Sequence, residues 1–184
     1  MDSSNEIKLH LGCGGSHKEG YINIDAQKIE AVDLVADITD LSEHFKDNSI
    51  SLIEHYHVIE HLSIEQGKEA LKHWFNLLKP TGYLVFECPD FKQTCLEFST
   101  LTWSQLIIKY PEIRDLTVYN KDITRLHNIY GSQTDKFQFH KAGYWPEYVE
   151  KLLTEIGFIN ITFIKPTSYH QRQEPCLKVR AQKP

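Results

Sequence analysis

The chain has 184 residues, 41% hydrophobic and 11% aromatic, which suits one folded domain with a substantial core rather than a disordered segment. Its formal net charge of -5 and pI near 6.0 leave no general basic footprint, so nucleic acid is not an expected partner. No run approaches the roughly 18 to 20 apolar residues of a membrane span, and the polar start from Met1 to Glu6 lacks the layout of a signal peptide.

Cys13, Cys88, Cys95 and Cys176 form no Cys-x-x-Cys pair, which argues against a disulfide framework or a zinc ribbon. A cytoplasmic protein with no membrane partner and no resident metal is the expectation. The patterning shows no internal repeat or linker, so residues 1–184 read as a single domain.

The first strand is expected at Ile7 to Leu11, running into Gly12-Cys13-Gly14-Gly15, and the second at Tyr21 to Asp25. Glycine permits positive φ in a tight turn and lets a ligand approach the backbone. A carboxylate closing the next strand can take both hydroxyls of a ribose, as in nucleotide-binding folds. The interval between these strands is too short for a full crossover helix, leaving either a crossover of about one turn or a hairpin.

A third strand is expected over Val32 to Ile38, with Asp37 near its end, and a fourth over Ile50 to Ile59, whose end is crowded with histidines. Ser63-Ile64-Glu65-Gln66 fits a capping box. Ile64, Leu71, Trp74, Phe75 and Leu78 come next at helical spacing until Lys79-Pro80-Thr81-Gly82 stops them. Tyr83 to Asp90 reads as a strand buried on both faces, with Asp90 capping the segment after Pro89. A last helix starts at Pro146 and ends before Gly157. Phe158 to Ile164 and Cys176 to Ala181 should be the final strands, paired antiparallel at an edge of the sheet.

Strands alternating with helices imply an α/β fold, a Rossmann-like doubly wound and mostly parallel sheet with an antiparallel last strand. Ligands in such folds sit beyond the C-terminal strand ends where strand order reverses. Gly12, Gly14, Asp25, Asp37, His57, His61 and Asp90 all fall at those ends.

With these motifs in this order, the chain resembles the class I S-adenosylmethionine-dependent methyltransferases, most closely the small bacterial type similar to methyltransferase type 11. The resemblance is carried by Leu11-Gly12-Cys13-Gly14, Ile22-Asn23-Ile24-Asp25, His57-Val58-Ile59-Glu60-His61-Leu62, Leu78-Lys79-Pro80-Thr81-Gly82-Tyr83-Leu84 and Leu153-Thr154-Glu155-Ile156-Gly157-Phe158. It spans roughly residues 8–90 and 140–181. Thr81 stands where glycine is usual, and the first crossover helix is missing.

The resemblance implies S-adenosylmethionine as cofactor. It places Leu11, Gly12, Cys13 and Gly14 by the methionine part, Asp25 on the ribose, Asp37 and Ile38 by the adenine, and His57 near the methyl. It also implies a small-molecule acceptor, for which the family suggests a hydroxyl of a sugar or polysaccharide precursor. A hydroxyl acceptor needs a base, and histidine suits that near neutral pH. His61, His57 and His140 are the candidates, in that order. Residues from about 92 to 144 should form a specificity or lid insertion, with Trp103, Tyr110, Tyr119 and Tyr130 beside Arg114 and Arg125 as wall or as core.

Three other readings compete. One is a non-catalytic domain that binds the cofactor or a nucleotide. Another is a zinc hydrolase using His57-x-x-Glu60-His61, whose chemistry needs both histidines on one helix. The third is a nicotinamide oxidoreductase, which the chain does not fit, since His17 stands at the last glycine of Gly-x-Gly-x-x-Gly.

Overall fold

The computed structural model describes residues 6–109, 128–133, 135–167 and 175–184. Seven strands, β1 (Ile7–Leu11), β2 (Ile22–Asp25), β3 (Leu34–Val35), β4 (Ile50–Tyr56), β5 (Leu78–Pro89), β6 (Ile159–Ile164) and β7 (Cys176–Gln182), form one sheet in the order β3-β2-β1-β4-β5-β7-β6. Pairing is parallel from β3 to β5, and β7 runs antiparallel to both β5 and β6. This is the α/β, mostly parallel sheet expected from the sequence. The order reverses at β1, which lies between β2 and β4, and that places a ligand-binding crevice at the C-terminal ends of these strands.

Among the described residues, α1 (Ile64–Leu77), α2 (Phe91–Thr100), α3 (Trp103–Lys109) and α4 (Pro146–Ile156) accompany the sheet. The capping box forms, with Ser63 accepting from Gln66 N while the Gln66 side chain accepts from Ser63 N. Helix α4 starts on Pro146 and stops at Gly157, whose φ of 113° is open to glycine and strained for other residues. Helix α1 packs against α4. Its buried Ala70, Leu71, Trp74 and Leu77 join Val149, Leu152 and Leu153 of α4 in a core with Leu9, Ile53, Leu84, Phe86 and Val179 of the sheet. Trp74 Nε1 also donates to Ile38 O at 2.8 Å, fixing the segment after β3 against α1.

The short interval between β1 and β2 is a parallel crossover without a helix, and the crossover from β2 to β3 has none either. Buried Asn23 takes over the job of holding these loops. Its Oδ1 accepts from Lys18 N at 2.8 Å, and its Nδ2 donates to Lys18 O, Tyr21 O and Asp33 Oδ2 at 3.1, 3.2 and 2.9 Å. One side chain thereby satisfies loop groups that a helix would otherwise pair internally.

Three strands differ from the sequence reading by more than one residue. The third strand is only Leu34–Val35, because Asp33 turns its carboxylate to Asn23 N at 2.8 Å instead of extending the ladder. The fourth stops at Tyr56, since His57 adopts φ 54° and Ile59–His61 forms a 3-10 turn. The fifth begins at Leu78, with the Lys79-to-Gly82 turn carried as a bulge: Ile50 pairs with Leu78 but Leu52 with Tyr83, and Thr81 sits at φ 67°. Asp90 caps α2 as expected, accepting from Gln93 N.

Candidate functional site

A cavity of about 550 Å³ opens at the reversal point, within the range of small-molecule sites. Gly12, Gly14, Asp25, Asp37, Ile38, His57 and His61 all line it, so the structure brings together seven of the residues singled out from the sequence. Val58, Gln66, Lys136, Phe137, Gln138 and Lys141 complete much of the wall.

The glycine turn is shaped by close contact. Gly12 and Gly14 have φ of 59° and 52°. A Cβ on Gly12 would stand 2.4 Å from Val58 Cγ2, whereas one on Gly14 would meet no protein atom within 4 Å and would project into open space beside the cavity. Gly14 N donates to Asp25 Oδ2 and Gln27 N to Asp25 Oδ1, both at 2.9 Å, which fixes the carboxylate plane at the cavity edge. Each oxygen keeps a further lone pair for a ligand hydroxyl. Asp37 is held similarly, accepting from Thr39 N and Thr39 Oγ1.

Two expected cofactor residues do not line the cavity. Leu11 is fully buried in the core, and the Cys13 thiol points at Gly14 O and Ala31 O, with burial pushing its pKa up to about 11. Strand alternation and the turn direct both side chains inward, so any part they take in binding is confined to backbone.

The three histidines occupy different environments. His57 lies between two buried carboxylates, with Nδ1 3.2 Å from Glu60 Oε1 and Nε2 3.8 Å from Glu87 Oε1. Burial opposes its charged form, but the polar contacts with Cys176, Glu60 and Glu87 outweigh that and raise its pKa far above the usual histidine range. Burial likewise opposes ionisation of Glu60, and pairing with His57 prevails, holding its carboxyl down at about 2. His57 is therefore an imidazolium across the neutral range, unsuited to accepting a proton.

His61 Nδ1 lies 3.1 Å from Phe139 O. A carbonyl only accepts, so Nδ1 carries a hydrogen, and in the neutral ring Nε2 is the nitrogen with the lone pair. His140 stands outside the cavity lining, its ring edge-on to His61 with centroids 4.7 Å apart and its Nδ1 3.0 Å from Asn128 O; burial lowers its pKa. His57 and His61 also fall in separate clusters of potential metal ligands, and His57 precedes the helical turn. That geometry does not supply the one-helix arrangement of a zinc hydrolase.

Of the proposed acceptor-wall residues, Trp103 and Tyr130 are exposed, and Tyr110, Arg114, Tyr119 and Arg125 lie outside the described residues. Sequence reasoning missed Glu87 and Cys176, although a lone acid within the apolar run Tyr83 to Cys88 was a usable signal. Among the described residues no helix is long and apolar enough to cross a membrane.

A family model for a methyltransferase domain matches residues 17–86, which include Asp25, Asp37, His57 and His61. No match was found among proteins with curated descriptions. Among solved structures, a SAM-dependent methyltransferase from Archaeoglobus fulgidus superposes with TM-score 0.62 at 16% identity, over 98% of this chain and 87% of that one. The N-methyltransferase NodS from Bradyrhizobium japonicum, in complex with S-adenosyl-L-homocysteine, gives 0.52 at 19% identity, over 97% and 78%. The CurJ carbon methyltransferase gives 0.54 at 18% identity, and this chain spans only 50% of it. At these identities the likeness is one of fold. Joined to the family match over residues 17–86, it supports reading the chain as similar to the class I S-adenosylmethionine-dependent methyltransferases of type 11.

Proposed function

We propose that the chain transfers the methyl group to a hydroxyl of a small polar acceptor, with His61 as general base. The observation that carries this is the His61 Nδ1 to Phe139 O contact, which leaves a basic nitrogen on a residue lining the cavity. A sugar or polysaccharide precursor is the acceptor class to test first, in line with the family resemblance. Residues of the 92–144 segment, including the cavity-lining Lys136, Phe137, Gln138 and Lys141, supply the specificity.

Bound S-adenosylmethionine supplies a methyl carbon activated by a positive sulfonium. Asp25 would hold the ribose hydroxyls, Asp37 and Ile38 would border the adenine, and Gly12 and Gly14 would let the backbone approach the methionine part. What remains for the protein is alignment, which contributes on the order of 7–11 kcal/mol in favourable cases. His61 would take the acceptor's hydroxyl proton on Nε2.

The test is a screen with methyl-labelled donor against sugars, other hydroxylated compounds and amines, run on wild type and His61→Gln. A hydroxyl acceptor should be turned over, with kcat lowered by about 10²- to 10⁴-fold in the variant while S-adenosylhomocysteine binding is unchanged. Turnover of amines alone, or equal kcat in the variant, would contradict the reading.

A further inference from the structure

The Glu60–His57–Glu87 arrangement lies beside the methyl-transfer site, and general-base catalysis by His61 makes no use of it. Three neighbouring strands build it at one end of the sheet. Tyr56 pairs with Glu87 and Glu87 with Lys178, so these side chains share a face, and Cys176 lies two residues before Lys178 on that same face. His57 comes directly after Tyr56 and in a regular strand would alternate to the opposite face. Its φ of 54° breaks the alternation and brings the imidazole to Glu87 and Cys176. Such a conformation is unfavourable for a residue with a Cβ, and strain of this kind gathers at functional sites.

The donor atoms of His57, Glu87 and Cys176 all lie within 4.8 Å of one another. The 3.8 Å from His57 Nε2 to Glu87 Oε1 is too long for a hydrogen bond. It is close to the spacing of about 3.3–3.7 Å between donors placed tetrahedrally around a zinc-type ion. Glu87 is fully buried; its Oε2 accepts from Thr167 N at 2.7 Å, and its Oε1 accepts no hydrogen bond from the described residues. On the other side of the ring, Glu60 stands at Nδ1, where a metal-bound histidine commonly has a carboxylate orienting it. The nearby Lys178 ammonium is turned to Thr167 Oγ1 and lies over the Tyr56 ring.

We propose that His57 Nε2, Glu87 and Cys176 form a binding site for a divalent cation with thiolate affinity, of the zinc type, with Glu60 as the orienting partner of His57; the cation displaces the proton on Nε2 and that on the Cys176 thiol, both released to solvent. Thiolate, imidazole and carboxylate together suit zinc or cobalt rather than magnesium or calcium. Three protein donors leave a fourth position open, and His57 also lines the cavity.

The test strips the purified full chain with a chelator and titrates it with Co²⁺. One equivalent should bind with a thiolate-to-cobalt charge-transfer band, absent in Cys176→Ser and kept in Cys95→Ser. Glu60→Gln should weaken binding by about 10- to 100-fold. Circular dichroism confirms folding of each variant, and S-adenosylhomocysteine affinity, measured separately, keeps a failure of this site distinct from a failure of the methyltransferase reading. No Co²⁺ binding by folded wild type, a band that survives Cys176→Ser, or a site lost with His140→Ala instead would overturn the proposal.

Discussion

Gly12→Ala is expected to abolish measurable S-adenosylhomocysteine binding and to lower stability. The new Cβ would stand 2.4 Å from Val58 Cγ2, and Val58 is 7% exposed, with a β-branched side chain that has little freedom to rotate away. The φ of 59° adds about 1–2 kcal/mol for a residue with a Cβ. Relief of both requires the turn from Gly12 to Gly14 to move, which displaces Gly14 N from Asp25 Oδ2 and releases the carboxylate. Denaturant unfolding and calorimetry on the variant measure the two effects. Adding Val58→Ala removes the steric part but not the backbone part, so the double variant should recover part of the lost stability. Wild-type binding in Gly12→Ala would show that the turn does not shape the cofactor site.

Glu60→Ala should cost about 3–5 kcal/mol of stability, the range for breaking one side of a buried ion pair. Glu60 is 2% exposed and its carboxylate faces His57 Nδ1 at 3.2 Å, so truncation leaves an imidazolium with one buried counter-charge fewer. The Glu60 carboxyl has a pKa below that of the unfolded chain. Its stabilisation is therefore fully present above the unfolded carboxylate range, declines progressively as pH falls through that range, and is gone below about 2. Urea unfolding in the presence of chelator, at neutral pH and near pH 3, checks this. The gap between wild type and variant should be full at neutral pH and reduced to less than half near pH 3. A variant as stable as wild type at neutral pH would show that the ion pair does not hold this site together.

Much of the fold was legible because its signals are local. The capping box at Ser63, Pro146 and Gly157 bracketing α4, and the apolar run from Tyr83 each specify an element without reference to the rest of the chain. The cavity edge proposed for the cofactor was legible for the same reason: glycines after β1 and an acid closing β2 fall at predictable strand ends. What the sequence concealed depends on long-range pairing. Asp33 reads as part of a strand until Asn23 engages it across ten residues, which shortens β3. The departure of His57 from strand alternation comes from its positive φ, which residue type does not reveal. Cys176 joins the site only because β7 runs antiparallel, setting its first residue beside Pro89 at the C-terminal end of β5.

The most direct measurement is calorimetric titration of wild type and Asp25→Asn with S-adenosylhomocysteine. Asn retains an oxygen for one of the two loop amides, so the turn is disturbed less than by alanine, but the charge-assisted bonds to ribose are lost. Such bonds contribute about 1.5–3 kcal/mol, so wild type should bind and Asp25→Asn should bind about tenfold more weakly or worse. No binding by folded wild type, or equal affinity in the two proteins, would contradict the cofactor site at the ends of β1 and β2.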